Sequence, residues 1–250
     1  VINDFMDMGI SVVHCMAMLV KQEQGQFQMI ANGGRDAEHL ILANRLKSFL
    51  DAKPTNYPIL YMCFGQEVNS GSYPWAYTNN VNTDAHYVSA YRRIAGIYKD
   101  RLGSRVKITF NTLRNSGNLT ARWPGNDVID VCTVDCYDNG DNNSYFTTSK
   151  AAGVATWING TYNGAAGYSG IRACMQFAES KGKKFGVQEW APSRKRNLLA
   201  TSDPSYIDPA SKNPNNKWYM EAMRDFFAAN TANLEFECEF NQITSDHLIY

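Results

Sequence analysis

Two glutamates have the setting to do chemistry in this sequence. Glu67 follows the apolar run ILYMCFGQ and Glu189 follows KFGVQ, so each stands at the end of a segment with strand character. Tyr73, Trp75 and Tyr77 come shortly after the first, and Trp190 directly after the second. On parallel strands both glutamates would reach the C-terminal rim of the sheet, where α/β barrels build their sites. Glycosidic cleavage needs two carboxyl groups flanking one bond, and aromatic rings stack on the flat C–H faces of sugars. A strand-end glutamate is also, in many proteins, an ordinary solvated loop residue. Pattern alone leaves both readings open.

The elements that must hold these residues alternate between strand and helix, the arrangement of a parallel α/β fold. Strands are predicted over 10–20, 58–66, 105–111, 128–137, 184–189 and 233–240. A helix over 36–50 repeats Leu42, Leu46, Phe49 and Leu50 on one face. Thr83 or Asp84 can cap a second helix, whose stripe is Tyr87, Tyr91, Ile94 and Tyr98 and which Gly103 closes. Two more span 170–180, ended by Gly182, and 217–229, with Tyr219, Met223, Phe226 and Phe227 inward. A fifth falls within 118–124 or 147–157. The six strands are too few to close an eight-stranded barrel, so they form either most of a barrel or an open sheet.

Composition narrows the field. The chain has 250 residues, 44% of them hydrophobic, and 24 basic residues balance 24 acidic ones. That length suits one large domain, and the absence of a basic block argues against nucleic acid as a partner. No apolar run reaches the roughly 18 residues needed to span a bilayer. No glycine-rich phosphate loop follows any strand, which disfavours a nucleotide-binding open sheet. The six cysteines sit mostly in strand segments. Cys132 and Cys136 share a strand face about 13 Å apart, too far for a disulfide, and no spacing suits a metal. Sequons occur at Asn118, Asn142 and Asn159.

Three segments carry a family resemblance. FGQEVNSGSYPW is similar to the acid/base segment of the family 26 glycoside hydrolases and their relatives, where a strand ends in Glu, followed by Asn, Gly and a Tyr-Pro-Trp cluster. WPGNDVIDVCTVDCYD resembles the family's strand ending in Asp-x-Tyr, and FGVQEWAP resembles its nucleophile strand. The motifs come in the family's order and span about residues 10 to 245. Gln66 stands where many members have His or Trp, and Trp-Ala-Pro follows the nucleophile position in place of an aromatic residue and Gly.

The resemblance implies a (β/α)8 TIM barrel lacking its first two strands and last helix in this chain. Residues 1–250 would be a single catalytic-type domain, strands 3 to 8, from a longer protein that could carry other domains. It implies a retaining, endo-acting β-glycosidase, with β-mannan the leading substrate and an extracellular or cell-surface location. Glu189 would be the nucleophile and Glu67 the acid/base, with carboxyl groups about 5 to 5.5 Å apart. Tyr137 would hydrogen-bond the nucleophile. Trp75, Trp190 and Tyr73 would stack on sugar rings, and Asn69, Asn111 and Gln66 would meet hydroxyls. Asp135 takes a supporting role, Asp130 a structural one, and His14 is read as a core residue rather than a sugar ligand. No metal or organic cofactor is implied. The rival reading is a non-catalytic barrel that binds glycan or builds a larger surface or virion assembly.

Overall fold

The computed structural model describes residues 2–19, 26–70, 73–75, 84–113, 119–137, 149–164, 170–191 and 217–239. Two sequons, Asn118 and Asn142, and the aromatic Tyr77 lie outside them. Asn159 is exposed. The chain groups into two compact units: residues 1–113, 117–133 and 181–183 form one, and residues 114–116, 134–180 and 184–250 the other. Strands follow chain order within the sheet in each.

In the first unit, β1 (Val12–Met16), β2 (Leu60–Phe64) and β3 (Val106–Leu113) pair in parallel, with Val12 beside Leu60 and Leu60 beside Val106. β2 is buried at every residue, as expected of a strand covered on both faces. β1 is not. Sequence reading made 10–20 a buried strand, whereas only 12–16 is extended and most of it is half-exposed. Its place at the end of the strand order leaves one flank without a neighbouring strand. Asp130 leads into β4 (Val131–Tyr137) by accepting from the Ile108 amide at 2.7 Å and the Lys99 ammonium at 3.0 Å, a structural use of this carboxylate.

Helix α1 (Ile2–Asp7) and the short α2 (Phe27–Ala31) were not anticipated; α3 covers Asp36–Asp51 and α4 Asp84–Leu102. Along α4 the predicted stripe holds: Tyr87, Tyr91, Ile94 and Tyr98 are all buried. Phe27 meets Tyr87 at 5.4 Å, and Phe64 meets Tyr91 at 5.7 Å and Tyr98 at 5.2 Å. The Tyr91 hydroxyl donates to the Thr109 carbonyl at 2.5 Å, so the helix is tied to β3 as well as packed. Gly103 ends it with φ at +54°. The buried face of α3 runs through His39, Ala43 and Leu50, with Leu42, Leu46 and Phe49 only half-buried. Its core-facing centre is turned from the predicted leucine stripe because His39, whose ring meets the Tyr98 hydroxyl at 3.3 Å, sits inside.

The second unit carries the end of β4, then α5 (Lys150–Thr156), α6 (Gly170–Ser180), β5 (Lys184–Ala191), α7 (Lys217–Ala229) and β6 (Leu234–Glu239). The fifth predicted helix is α5, and it runs on into a wider turn over 157–162. Ser149 caps α5 by accepting from the Ala152 amide. Trp157, Tyr162, Phe226 and Phe227 form an aromatic core here, with ring centroids 5.5 to 6.1 Å apart. Gly153 admits the Trp218 side chain, whose Cβ would lie 2.5 Å from a Cβ at 153.

No disulfide joins the six cysteines. Among the described residues, no helix is long and apolar enough to cross a membrane.

Candidate active site

The segment around Glu67 is a turn held by its neighbours at nearly every backbone group. Gly65 leaves β2 with φ at +61°, and Glu67 itself has φ at +51°, the one non-glycine residue among those described in the left-handed region. Such a conformation costs a side-chain-bearing residue on the order of 1 kcal/mol or more. The surroundings enforce it. The Glu67 amide donates to the Asn111 side-chain oxygen at 2.6 Å, and the Val68 amide to the Asn111 carbonyl at 3.3 Å. The Gln66 carbonyl accepts from the Trp75 indole at 2.7 Å, the Glu67 carbonyl from the Ser70 amide at 2.7 Å, and the Val68 carbonyl from Arg122 at 3.1 Å. Asn69 bonds both faces of Leu113, donating to its carbonyl at 2.9 Å and accepting from its amide at 2.7 Å.

These contacts bring Gln66, Glu67, Asn69, Tyr73, Trp75 and Asn111 into one cluster, and they redefine several. The Asn69 amide group and the Asn111 side-chain oxygen, expected to meet sugar hydroxyls, hold the turn. Trp75 is 7% exposed and stacks against Tyr73 at 4.7 Å with the rings 6° from parallel. Tyr73 also accepts from the Gln66 side chain at 3.2 Å and is half-buried. It, rather than Trp75, offers a ring to a ligand.

The segment around Glu189 is built differently. Between Val187 and Trp190 β5 takes three steps while β6 takes two, from Glu237 to Glu239, so one extra residue bulges at Gln188–Glu189. A bulge re-aims a side chain that regular pleating would point elsewhere. Glu189 accepts a hydrogen bond from the Tyr137 hydroxyl at 2.5 Å. Burial pushes the Glu189 carboxyl above the usual carboxylate range and the Tyr137 bond pulls it back, leaving a net upward shift. Asp135, 1% exposed, has a carboxylate oxygen within 4.8 Å of one on Glu189. Helix α7 supports the end of β4: the Tyr219 hydroxyl, fully buried, donates to the Cys136 carbonyl at 2.6 Å, one residue before Tyr137.

Trp190 turns away from its neighbour. It is 3% exposed, packs on Phe227 at 5.3 Å and Tyr219 at 6.4 Å, and donates its indole N–H to Glu237. A ring so covered has little face left for a sugar. Beside it the Cys238 thiol is pushed up to about 11, first by burial and then by Glu237, Asp135 and Glu189. His14 is half-buried, and burial holds its imidazole below the ordinary histidine range.

Sequence reasoning missed three contributors: Arg122, Tyr219 as an anchor of β4, and Glu237. The alternating acids of LEFECEF were the only trace of the last. Arg122 stands alone in its loop and belongs to no periodic pattern.

The chain is similar to GH26C from a Muricauda species, with a TM-score of 0.60 and 13% identity, over 96% of this chain and 62% of that one. It is similar also to a modular endo-β-1,4-mannanase from Cellulomonas fimi, with a TM-score of 0.59 and 15% identity, over 99% of this chain and 51% of that one. The fold is that of the family 26 glycoside hydrolases. It is therefore TIM-barrel-like, and the chain spans about half to three-fifths of the length of these structural relatives. In sequence, 85 residues are 35% identical to endoglucanase H of Acetivibrio thermocellus, covering 32% of this chain and 9% of that protein. That match supports a glycoside hydrolase relationship. No family model matches the sequence.

Proposed function

We propose that this protein is a retaining endo-β-glycosidase in which Glu189 attacks the anomeric carbon and Glu67 is the acid/base, with β-mannan the leading substrate. The observation that carries the reading is the 2.5 Å hydrogen bond from Tyr137 to Glu189. A nucleophile must be ionised to attack. A hydroxyl donated to the carboxylate favours that form against the burial that opposes it.

In the first half of the reaction Glu67 gives its proton to the leaving oxygen as Glu189 bonds to the sugar. In the second half Glu67 removes a proton from water, which displaces Glu189 and regenerates both groups. The strained, fully bonded turn around Glu67 suits a group that must serve both steps from one place. In this reading Tyr73 and Gln66 contact the sugar, and Trp75 and Trp190 act mainly by supporting Tyr73 and the nucleophile strand. The substrate guess takes its support from the mannanase named among the structural relatives. A secreted location, further domains on a longer chain and a polysaccharide partner belong to the same proposal.

Hydrolysis of soluble β-mannan, mixed-linkage glucan and xylan by the full-length protein tests it, with Glu67→Gln and Glu189→Gln alongside. Turnover of one polymer that is lost in both variants is expected. A folded protein that cleaves none of them would overturn the hydrolase reading and leave the glycan-binding or structural barrel.

A further inference from the structure

The turn that presents Glu67 is held from below by a group no sugar would touch. Arg122 is 3% exposed. Its guanidinium donates to the Val68 carbonyl at 3.1 Å and to the Asp84 carboxylate at 2.8 Å, and lies 5.0 Å from the Tyr87 ring centroid. One face of a planar fork is thus fixed by an aromatic ring and two of its donors by oxygen acceptors, a geometry that lysine cannot reproduce. Val68 is fully buried, so with Arg122 in place its carbonyl is bonded to the guanidinium and shielded from water. The carbonyl that Arg122 holds belongs to the Val68–Asn69 peptide, one peptide beyond the left-handed Glu67, so releasing it loosens the exit of the turn that keeps Glu67 in that conformation.

We infer that Arg122 is a positioning residue for the acid/base: by holding the Val68 carbonyl and bracing itself on Asp84 and Tyr87, it keeps Glu67 in the left-handed conformation that aims its carboxyl group. The inference rests on the reading of Glu67 as acid/base, and it specifies which step should suffer when the brace is removed. Proton donation matters most when the leaving group is poor and least when it departs unaided. Loss of Arg122 should therefore slow cleavage of poor leaving groups selectively, whereas general damage to the fold would slow all substrates alike.

The test compares kcat/KM on two aryl β-glycosides of the sugar that the polymer panel selects, one releasing phenol and the other 2,4-dinitrophenol. Glu67→Gln defines the pattern for a lost acid. Arg122→Met and Arg122→Lys should follow it, losing about 10- to 100-fold on the phenyl glycoside and less than about 3-fold on the dinitrophenyl one. Equal losses on both substrates, or none, would overturn the inference. Asp84→Asn, at a partly exposed position, serves as a milder variant with the same expected bias should the Arg122 variants fold poorly.

Amide hydrogen exchange reads the brace without any substrate. In Arg122→Met the Glu67, Val68 and Ser70 amides should exchange at least about 10-fold faster while those of the middle of α4 keep their rates. Unchanged protection in the turn would overturn the inference on its own. If the parent protein cleaves neither glycoside, the acid/base reading fails and Arg122 loses its catalytic meaning, while the exchange data still decide whether it holds the turn.

Discussion

At the scale of single residues, Glu189 carries opposed demands. Burial favours its neutral form and Tyr137 favours its charged one. Removing the hydroxyl with Tyr137→Phe leaves burial unopposed, so the carboxyl shifts further up. The acidic limb of the kcat/KM profile, which reports the ionisation of the free enzyme's nucleophile, should then move to higher pH. A limb that stays in place would show that Tyr137 does not tune Glu189. The same balance has a stability consequence. A carboxyl raised in the folded state favours folding while it is protonated, and that contribution is lost as pH rises through the folded value. Glu189→Gln should therefore melt about 2–4 °C higher than the parent at neutral pH. The gap should shrink as pH falls through the raised folded value and be closed below the ordinary carboxylate range. Thermal scans at several pH values check both the sign and the trend.

At the scale of elements, packing and hydrogen bonding can be separated. Tyr91→Phe keeps the ring contact with Phe64 but removes the hydrogen bond to the buried Thr109 carbonyl, at a cost of about 0.5–1.5 kcal/mol. Gly153→Ala puts a methyl group against the Trp218 side chain and should cost about 1–3 kcal/mol by overpacking α5 against α7. Denaturant melts measure both. The contrast between α4 and the turn after β2 also shows what a sequence makes legible. The α4 stripe was readable because four large residues recur at helical spacing and all face one way. Helix α2 was not, since five residues are too few for a period to show. β1 was drawn too long because an apolar run continues beyond the paired residues. For the candidate site, residue types and order point to Glu67, Glu189 and Tyr137, and the last two are hydrogen-bonded. The local sequence could not show that Asn69 and Asn111 turn inward to the backbone, because an amide suits a sugar and a peptide equally well. Nor could it reveal Arg122, whose partners lie 38 and 54 positions away.

At the scale of the whole molecule, the strands follow chain order within each unit, with Glu67 three residues past β2 and Glu189 two residues before the end of β5. If the pair works by double displacement, the first sugar product should carry the anomeric configuration of the substrate. Proton NMR of a fresh digest reads this directly. Inverted product would assign Glu189 as a base activating water and remove the covalent intermediate. The likeness to family 26 structures supports the expectation through fold, and the ordered motifs add to it, but neither substitutes for the stereochemical result.

The left-handed backbone at Glu67 has a consequence for anyone who would engineer this protein. Glycine would accept that conformation without steric penalty, and asparagine with little. If Glu67 is the acid/base as proposed, a library screened for heat resistance alone would be rewarded for discarding the carboxylate, and would enrich variants that are sturdier and inert. On that reading, directed evolution of this chain needs turnover in every round of the screen, since at position 67 robustness and the proposed chemistry select opposite residues.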